Sequence, residues 1–210
     1  LHVRDPEHYP DANHKPEIAI ALDGLRALAG FKSFADTVET LKAFPEIAAF
    51  VGELAAAVVS GRSKPEAGGR GKWVRDVYLT ALQQSEEHPE KLREVLQRLD
   101  KRLRESDFAE DFLSRLYTDL RQTYGDDVGL LSLFLLQFVE LQPGEAIFIG
   151  AGIPHAYLKG NIIECMANSD NVVRAGLTPK FKDVPAMAEI ITRQPAPLPV
   201  YRPNLDADEA

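Results

Sequence analysis

Apolar and polar positions alternate at the two ends of the chain and recur at helical spacing between them. After Pro16, the residues Ile18, Ile20 and Leu22 alternate on one face, which predicts a buried strand with Glu17 at its mouth. Residues 138–141 re-enter strand, and Gln142-Pro143-Gly144-Glu145 has the composition of a tight turn between strands. Three short apolar runs follow, at 146–149, 156–158 and 162–166, divided by Gly150, Gly152, Pro154 and Gly160. Such punctuation marks successive short strands joined by tight turns. The strand at Glu17 and those around His155 are expected to belong to one β-structure.

From Ser33 to about Phe138 the period changes to that of helices. Phe34, Val38, Leu41 and Phe44 recur at steps of four and three, with Asp36 and Glu39 early in the run. Pro45 ends that helix, and Ile47, Phe50, Val51, Leu54 and Val58 form a further stripe. Residues 60–71 are polar and glycine-rich and read as a mobile linker without a phosphate-binding motif. Helices are predicted again over 73–84, 89–105 and 108–124; in the second, Leu92, Val95, Leu96, Leu99 and Leu103 line one face. Residues 128–138 are almost wholly apolar and should be buried, as a helix end or as the way back into the sheet. The expected organisation is a first β-part over 1–32, a helical insertion over 33–138, a return to the β-part over 139–194, and a proline-rich tail over 195–210 with Pro195, Pro197, Pro199 and Pro203.

Composition narrows the class. At 210 residues, 45% hydrophobic and 27% charged, the chain is an ordinary globular sequence with material for one large core or two small ones. A net charge of −8 argues against a general nucleic-acid or polyanion binder. No apolar run approaches the roughly 20 residues of a membrane span. No signal-peptide pattern opens the chain, so a cytoplasmic protein is expected, and the start at Leu1 suggests a piece of something longer. Cys165 is the one cysteine, which excludes an intrachain disulfide; within its apolar run it reads as a small buried hydrophobe.

The candidate chemistry sits in the turns. His155 follows Pro154, and Asn168, Asp170, Asn171 and Arg174 come soon after. The run Asn-Ser-Asp-Asn could be turn chemistry alone, since Asn and Asp tolerate left-handed backbone. A histidine at a strand edge, Glu164 in a strand and Arg174 among Val172, Val173 and Ala175 are nonetheless costly to bury together, which points to a site. The opening loop gathers His14, Lys15 and Glu17, and Glu17 leads directly into a strand.

Two segments, YPDANHKPEIAIAL and PGEAIFIGAGIPHAYLKGNIIECMANSDNVVRAGLTPKF, resemble the two long signature blocks of type I mannose-6-phosphate isomerases (phosphomannose isomerases). The resemblance covers essentially the whole chain. It implies a mixed α and β fold: a cupin-type β-barrel (jelly roll) with an all-α helical insertion domain, and a further C-terminal barrel domain. It also implies roles. Glu17, from the NHKPE motif, and His155, from PHAY, match zinc ligands. Arg174, from NVVRAGLTPK, matches the active-site arginine; Lys15 and Lys180 match lysines of the sugar-phosphate pocket; His14 and Asp170 match residues proposed for proton transfer. The family's other two zinc ligands come from a glutamine-x-histidine motif upstream of the first block. This sequence has no such motif, and His2 and His8 lack its context. The expectation is therefore an internal fragment, inactive by itself, with two further ligands upstream of Leu1.

The implied activity is a zinc-dependent interconversion of mannose 6-phosphate and fructose 6-phosphate through an enediol-like intermediate, within the carbohydrate metabolism that leads to GDP-mannose. The implied cofactor is one Zn2+ per full-length chain. The implied partner is a small-molecule hexose 6-phosphate, with no nucleic acid, no membrane and a monomeric enzyme. Histidine nitrogen and carboxylate oxygen suit a catalytic zinc with an open position. Arg174 would supply permanent charge and planar donors, and Lys15 suits a proton shuttle. The base is open among Asp170, His14 and Lys15. Two alternatives stay open: another metallo-cupin such as an oxygenase, and a non-catalytic sugar-phosphate binder. Arg174 could also pair structurally with Glu164 or Asp170.

Overall fold

A computed structural model describes residues 1–105, 111–192 and 198–202. They form a mixed α and β structure that divides into two compact units. The first unit takes Leu1–Gly30, Leu136–Val172 and the described residues 198–202; the second takes the helices between them together with the described residues from Val173 to 192.

The first unit contains two sheets. Its strands are β1 (Glu17–Ala21), β2 (Leu25–Phe31), β3 (Leu136–Leu141), β4 (Ala146–Ile149), β5 (His155–Lys159), β6 (Ile162–Met166) and β7 (Val200–Tyr201). One sheet runs β6-β1-β4-β7 and the other β3-β2-β5. β1 is antiparallel to both β4 and β6, and β5 is antiparallel to β2. Every short connection changes sheet: β1 to β2, β3 to β4, β4 to β5 and β5 to β6. Turn chemistry explains how so little chain can do this. In Gln142-Pro143-Gly144-Glu145 the Glu145 N–H donates to the Gln142 carbonyl at 3.0 Å, and Gly144 takes φ 82°, the left-handed position of a type II turn after proline. The two sheets share one core, built from Ala19, Ala21, Leu25, Ala27, Ala29, Leu141, Ile147 and Ile149.

The face of β1 that enters this core is not the one its large residues suggest. Glu17, Ala19 and Ala21 are buried, whereas Ile18 and Ile20 are half-buried and Leu22 is exposed. Alternation fixes which residues share a face, but not which face is covered. Cys165 is likewise exposed rather than buried. It lies on β6, at the edge of its sheet, opposite Ile18 on the outward face. The proline-rich tail contributes β7, which pairs with β4; Pro195, Pro197 and Pro203 lie outside the described residues.

The second unit is helical: α1 (Phe34–Ala43), α2 (Pro45–Val51), α3 (Glu53–Val59), α4 (Arg70–Glu87), α5 (Pro89–Glu105), α6 (Phe112–Tyr124), α7 (Ser132–Leu135) and α8 (Val184–Ile190). Ser33 caps α1 by accepting the Asp36 N–H, and Pro45 opens α2, where its missing N–H costs nothing. Gly52, at φ 83°, splits the stripe from Ile47 to Val58 into two helices. α4 starts three residues earlier than its apolar pattern predicts, and the expected start of α6 at Phe108 lies outside the described residues. Phe134 sits edge-on to both Phe44 and Tyr117, at 4.8 and 5.9 Å between ring centres. α8, expected within the return to the β-part, instead packs on α4: Arg75 donates to the carbonyls of Ala188 and Ile191.

Candidate functional site

Glu17 begins β1 on its inward face, opposite Ile149 of β4 and Met166 of β6. Its carboxylate is buried, at 7% exposure, and is held from two directions. Lys15 Nζ lies 3.1 Å from Oε1, and His155 Nε2 lies 3.0 Å from Oε2. His155 begins β5 in the other sheet, opposite Ala29 of β2. The two groups therefore meet because each opens a strand on a different wall of the same core.

The imidazole is oriented from behind. Nδ1 lies 3.0 Å from the Ile153 carbonyl oxygen, to which only a protonated nitrogen can donate. In the neutral ring that leaves Nε2 as an acceptor aimed at a carboxylate, which is also an acceptor. A proton or a cation between them resolves the conflict. Metal-binding histidines typically carry this backbone bond on the nitrogen away from the metal. The donor set also suits zinc, since two ligands of one tetrahedral ion stand about 3.4 Å apart. Among the described residues no group of three or more His, Cys, Asp or Glu gathers to hold a metal, so Glu17 and His155 stand as a pair.

Tyr157 lies two residues beyond His155, its ring 5.8 Å from the imidazole. Its hydroxyl is buried and makes no hydrogen bond within the described structure. Burial raises its pKa above the ordinary phenol range, and the nearby carboxylates of Glu164 and Glu17 add to the rise. Glu164 itself is exposed, on the edge strand opposite Ala19.

The loops beside the pair are stapled by Asp11. Its carboxylate accepts the Asp170 N–H at 2.9 Å, the Ser169 hydroxyl at 2.9 Å and the Asn13 N–H at 2.8 Å. Asn171 Nδ2 donates back to the Asp11 and Asn13 carbonyls, at 2.7 and 2.9 Å. These bonds, first of all the one from the Asp170 N–H, hold the Asp11 carboxyl below the usual carboxylate range. His14 and Asp170 are thus exposed groups on two loops tied together, while Lys15 reaches Glu17 directly. Arg174 and Lys180 belong to the other unit. Asp11 and Tyr157 were not singled out from sequence. Asp11 carried only the signal of an Asx turn, and Tyr157 only its two-residue spacing from His155.

The model of the phosphomannose isomerase type I catalytic domain matches residues 1–34. The mannose-6-phosphate isomerase of Rattus norvegicus is 39% identical across 100% of this chain and 50% of its own length; that of Homo sapiens is 39% identical across 93% and 47%. A crystal structure of zinc-bound mannose 6-phosphate isomerase superposes with a TM-score of 0.69 at 33% identity, over 90% of this chain and 44% of the other. Along its length the chain is therefore similar to mannose-6-phosphate isomerases, and its first 34 residues match the type I catalytic domain. It spans about half the length of the curated relatives it matches. The similarity to the rat mannose-6-phosphate isomerase runs the length of the chain, through both units and not only the β-part with Glu17 and His155.

Proposed function

We propose that this chain carries part of the zinc and sugar-phosphate site of an aldose–ketose isomerase that interconverts mannose 6-phosphate and fructose 6-phosphate. The observation behind the reading is the Glu17–His155 pair, a carboxylate oxygen and an oriented imidazole nitrogen 3.0 Å apart with Lys15 on the carboxylate's other oxygen. Sheet-switching connections support a cupin-type barrel for the first unit, with the helical unit inserted in its sequence.

Zinc, when bound, would polarise the substrate oxygens as a Lewis acid. Glu17 and His155 would hold it, with the remaining ligands supplied from outside these residues. The Ile153 carbonyl keeps the His155 ring in its binding tautomer. Lys15, drawn in by Glu17, presents an ammonium beside the pair, where it can stabilise negative charge on a sugar oxygen or hand over a proton. Asp170 and His14 are the other groups suited to move the carbon-bound proton. The family motif assigns Arg174 to stabilising developing charge and Lys180 to the phosphate; that assignment rests on the resemblance.

The test is mannose 6-phosphate turnover and zinc content of the intact protein, with and without a chelator. Stoichiometric zinc and chelator-sensitive turnover are expected, and His155→Gln should lower both. Phosphosugar binding without turnover would replace the isomerase reading with that of a binding protein.

A further inference from the structure

Residues 173–182 carry Arg174 and Lys180 yet contain neither helix nor strand. At Leu177 the backbone takes φ 53°, a left-handed conformation uncommon for a residue with a side chain. Such a segment holds its shape only if something outside it fixes the backbone.

Asp127 does so. Its carboxylate is 9% exposed and caps the short turn Val128–Leu131 by accepting the Gly129 N–H at 2.7 Å. A cap needs no more than that bond. The same Oδ1 also accepts the Leu177 N–H at 2.9 Å, and Oδ2 takes the Lys182 ammonium at 3.0 Å. The two strips of backbone touch. A Cβ on Gly176 would stand 2.6 Å from the Gly129 nitrogen and Cα, and one on Gly129 would stand 2.9 Å from the Leu177 nitrogen. Glycine at both places lets the carboxylate reach the segment.

We infer that Asp127 is the positioning residue for Arg174 and Lys180: it anchors their segment at Leu177 and Lys182, on either side of Lys180 and three residues beyond Arg174. The substrate class this serves is a phosphorylated sugar, so the inference rests on the isomerase reading. Neither Arg174 nor Lys180 can be preorganised for an anion if the backbone between them drifts. A displacement of about 1 Å at a positioning group can cost about 10²-fold in rate.

The experiment uses the intact protein with Asp127→Ala, Asp127→Asn and Lys182→Met, read by amide hydrogen exchange and by kcat and KM for mannose 6-phosphate. In Asp127→Ala the Leu177 amide should lose protection and kcat/KM should fall about 10²-fold at unchanged zinc content. Asp127→Asn keeps Oδ1 and should restore both the Leu177 protection and kcat, leaving a raised KM from the lost charge on Lys182. Lys182→Met should raise KM with Leu177 still protected; it tests the outer arm even if Asp127→Ala fails to fold. Wild-type kcat/KM in a folded Asp127→Ala, or a Leu177 amide that stays protected in it, overturns the inference. An Asn variant as slow as the Ala variant does so too. If the unsubstituted protein turns over no hexose phosphate, the isomerase reading fails. The exchange at Leu177 then still decides whether Asp127 holds the segment.

Discussion

Glu17→Gln isolates what the buried carboxylate does without changing its shape. Glutamine keeps an oxygen for Lys15 and gains an NH2 that can donate to His155 Nε2, so the imidazole is satisfied and the ammonium loses its counter-charge. At 3.1 Å and an effective dielectric near 20, the Lys15–Glu17 attraction is about 5 kcal/mol gross. Relief of the carboxylate's own desolvation offsets part of that. Removing one partner of a buried pair typically costs about 3–5 kcal/mol, and the Lys15 side chain is 18% exposed, so the lower end applies. Replacing both partners, Glu17→Gln with Lys15→Met, leaves no stranded charge and should lie within about 1 kcal/mol of the starting protein. The only tryptophan, Trp73, belongs to the helical unit, so its fluorescence follows the wrong part of the chain. Amide exchange of β1 in the presence of a chelator reads the right one. About 3 kcal/mol is roughly a hundredfold loss of protection in the single variant, most of it recovered in the double. If adding Lys15→Met leaves β1 as poorly protected as Glu17→Gln alone, the ion pair is not what the carboxylate contributes.

Arg174→Ala in the intact protein should lower turnover about 10²–10³-fold with zinc content unchanged, as expected for loss of one preorganised donor; undiminished turnover would remove Arg174 from the chemistry. The Asp11 carboxyl is held below its unfolded value of about 3.9, so its contribution to the loop staple is complete above that pH and is lost as pH falls through the lower folded value. The Asp170 amide resonance should report a midpoint below about 3.9 that Asp11→Asn abolishes; a midpoint at or above 3.9 contradicts the staple. Cys165 should react with a thiol reagent in the native protein, one equivalent per chain, and a requirement for denaturant would mean that the outer face of β6 is covered.

Local rules were readable where one short stretch contains everything that decides it. The turn at Gln142–Glu145 needs only a proline and a glycine in the right order, and α5 was delimited by Pro89 and an unbroken leucine stripe. The helical character of the middle of the chain followed from period alone, and so did the strand at Glu17. What failed was whatever depends on a partner far away in sequence. Cys165 looks buried because its neighbours are apolar, but burial is set by position in the sheet, and β6 is an edge. α8 needs the carbonyl contacts to Arg75, on a helix more than a hundred residues earlier, to be placed at all. Glu17, Lys15 and His155 stand out in the sequence because their motifs are long, and the structure brings the three side chains together. Asp11 and Asp127 do not stand out, because a short loop aspartate reads the same whether it caps one turn or ties two segments together.

The inverted face of β1 explains how the two walls bring Glu17 and His155 together. The inward positions following Glu17 are Ala19 and Ala21, and the facing strand β2 offers Ala27 and Ala29, with Ala29 directly opposite His155. Sheets packed face to face stand about 10 Å apart when ordinary side chains interdigitate, and small residues leave room for the few long ones. A glutamate can span much of that gap and an imidazole the rest, which is the 3.0 Å contact observed. Had Ile18 and Ile20 faced inward, as their hydrophobicity favours, Glu17 would have turned outward with the alanines. The sequence therefore accepts half-exposed isoleucines on the outer face in order to keep a carboxylate inside. The carboxylate so buried is held on both oxygens, by Lys15 and by His155.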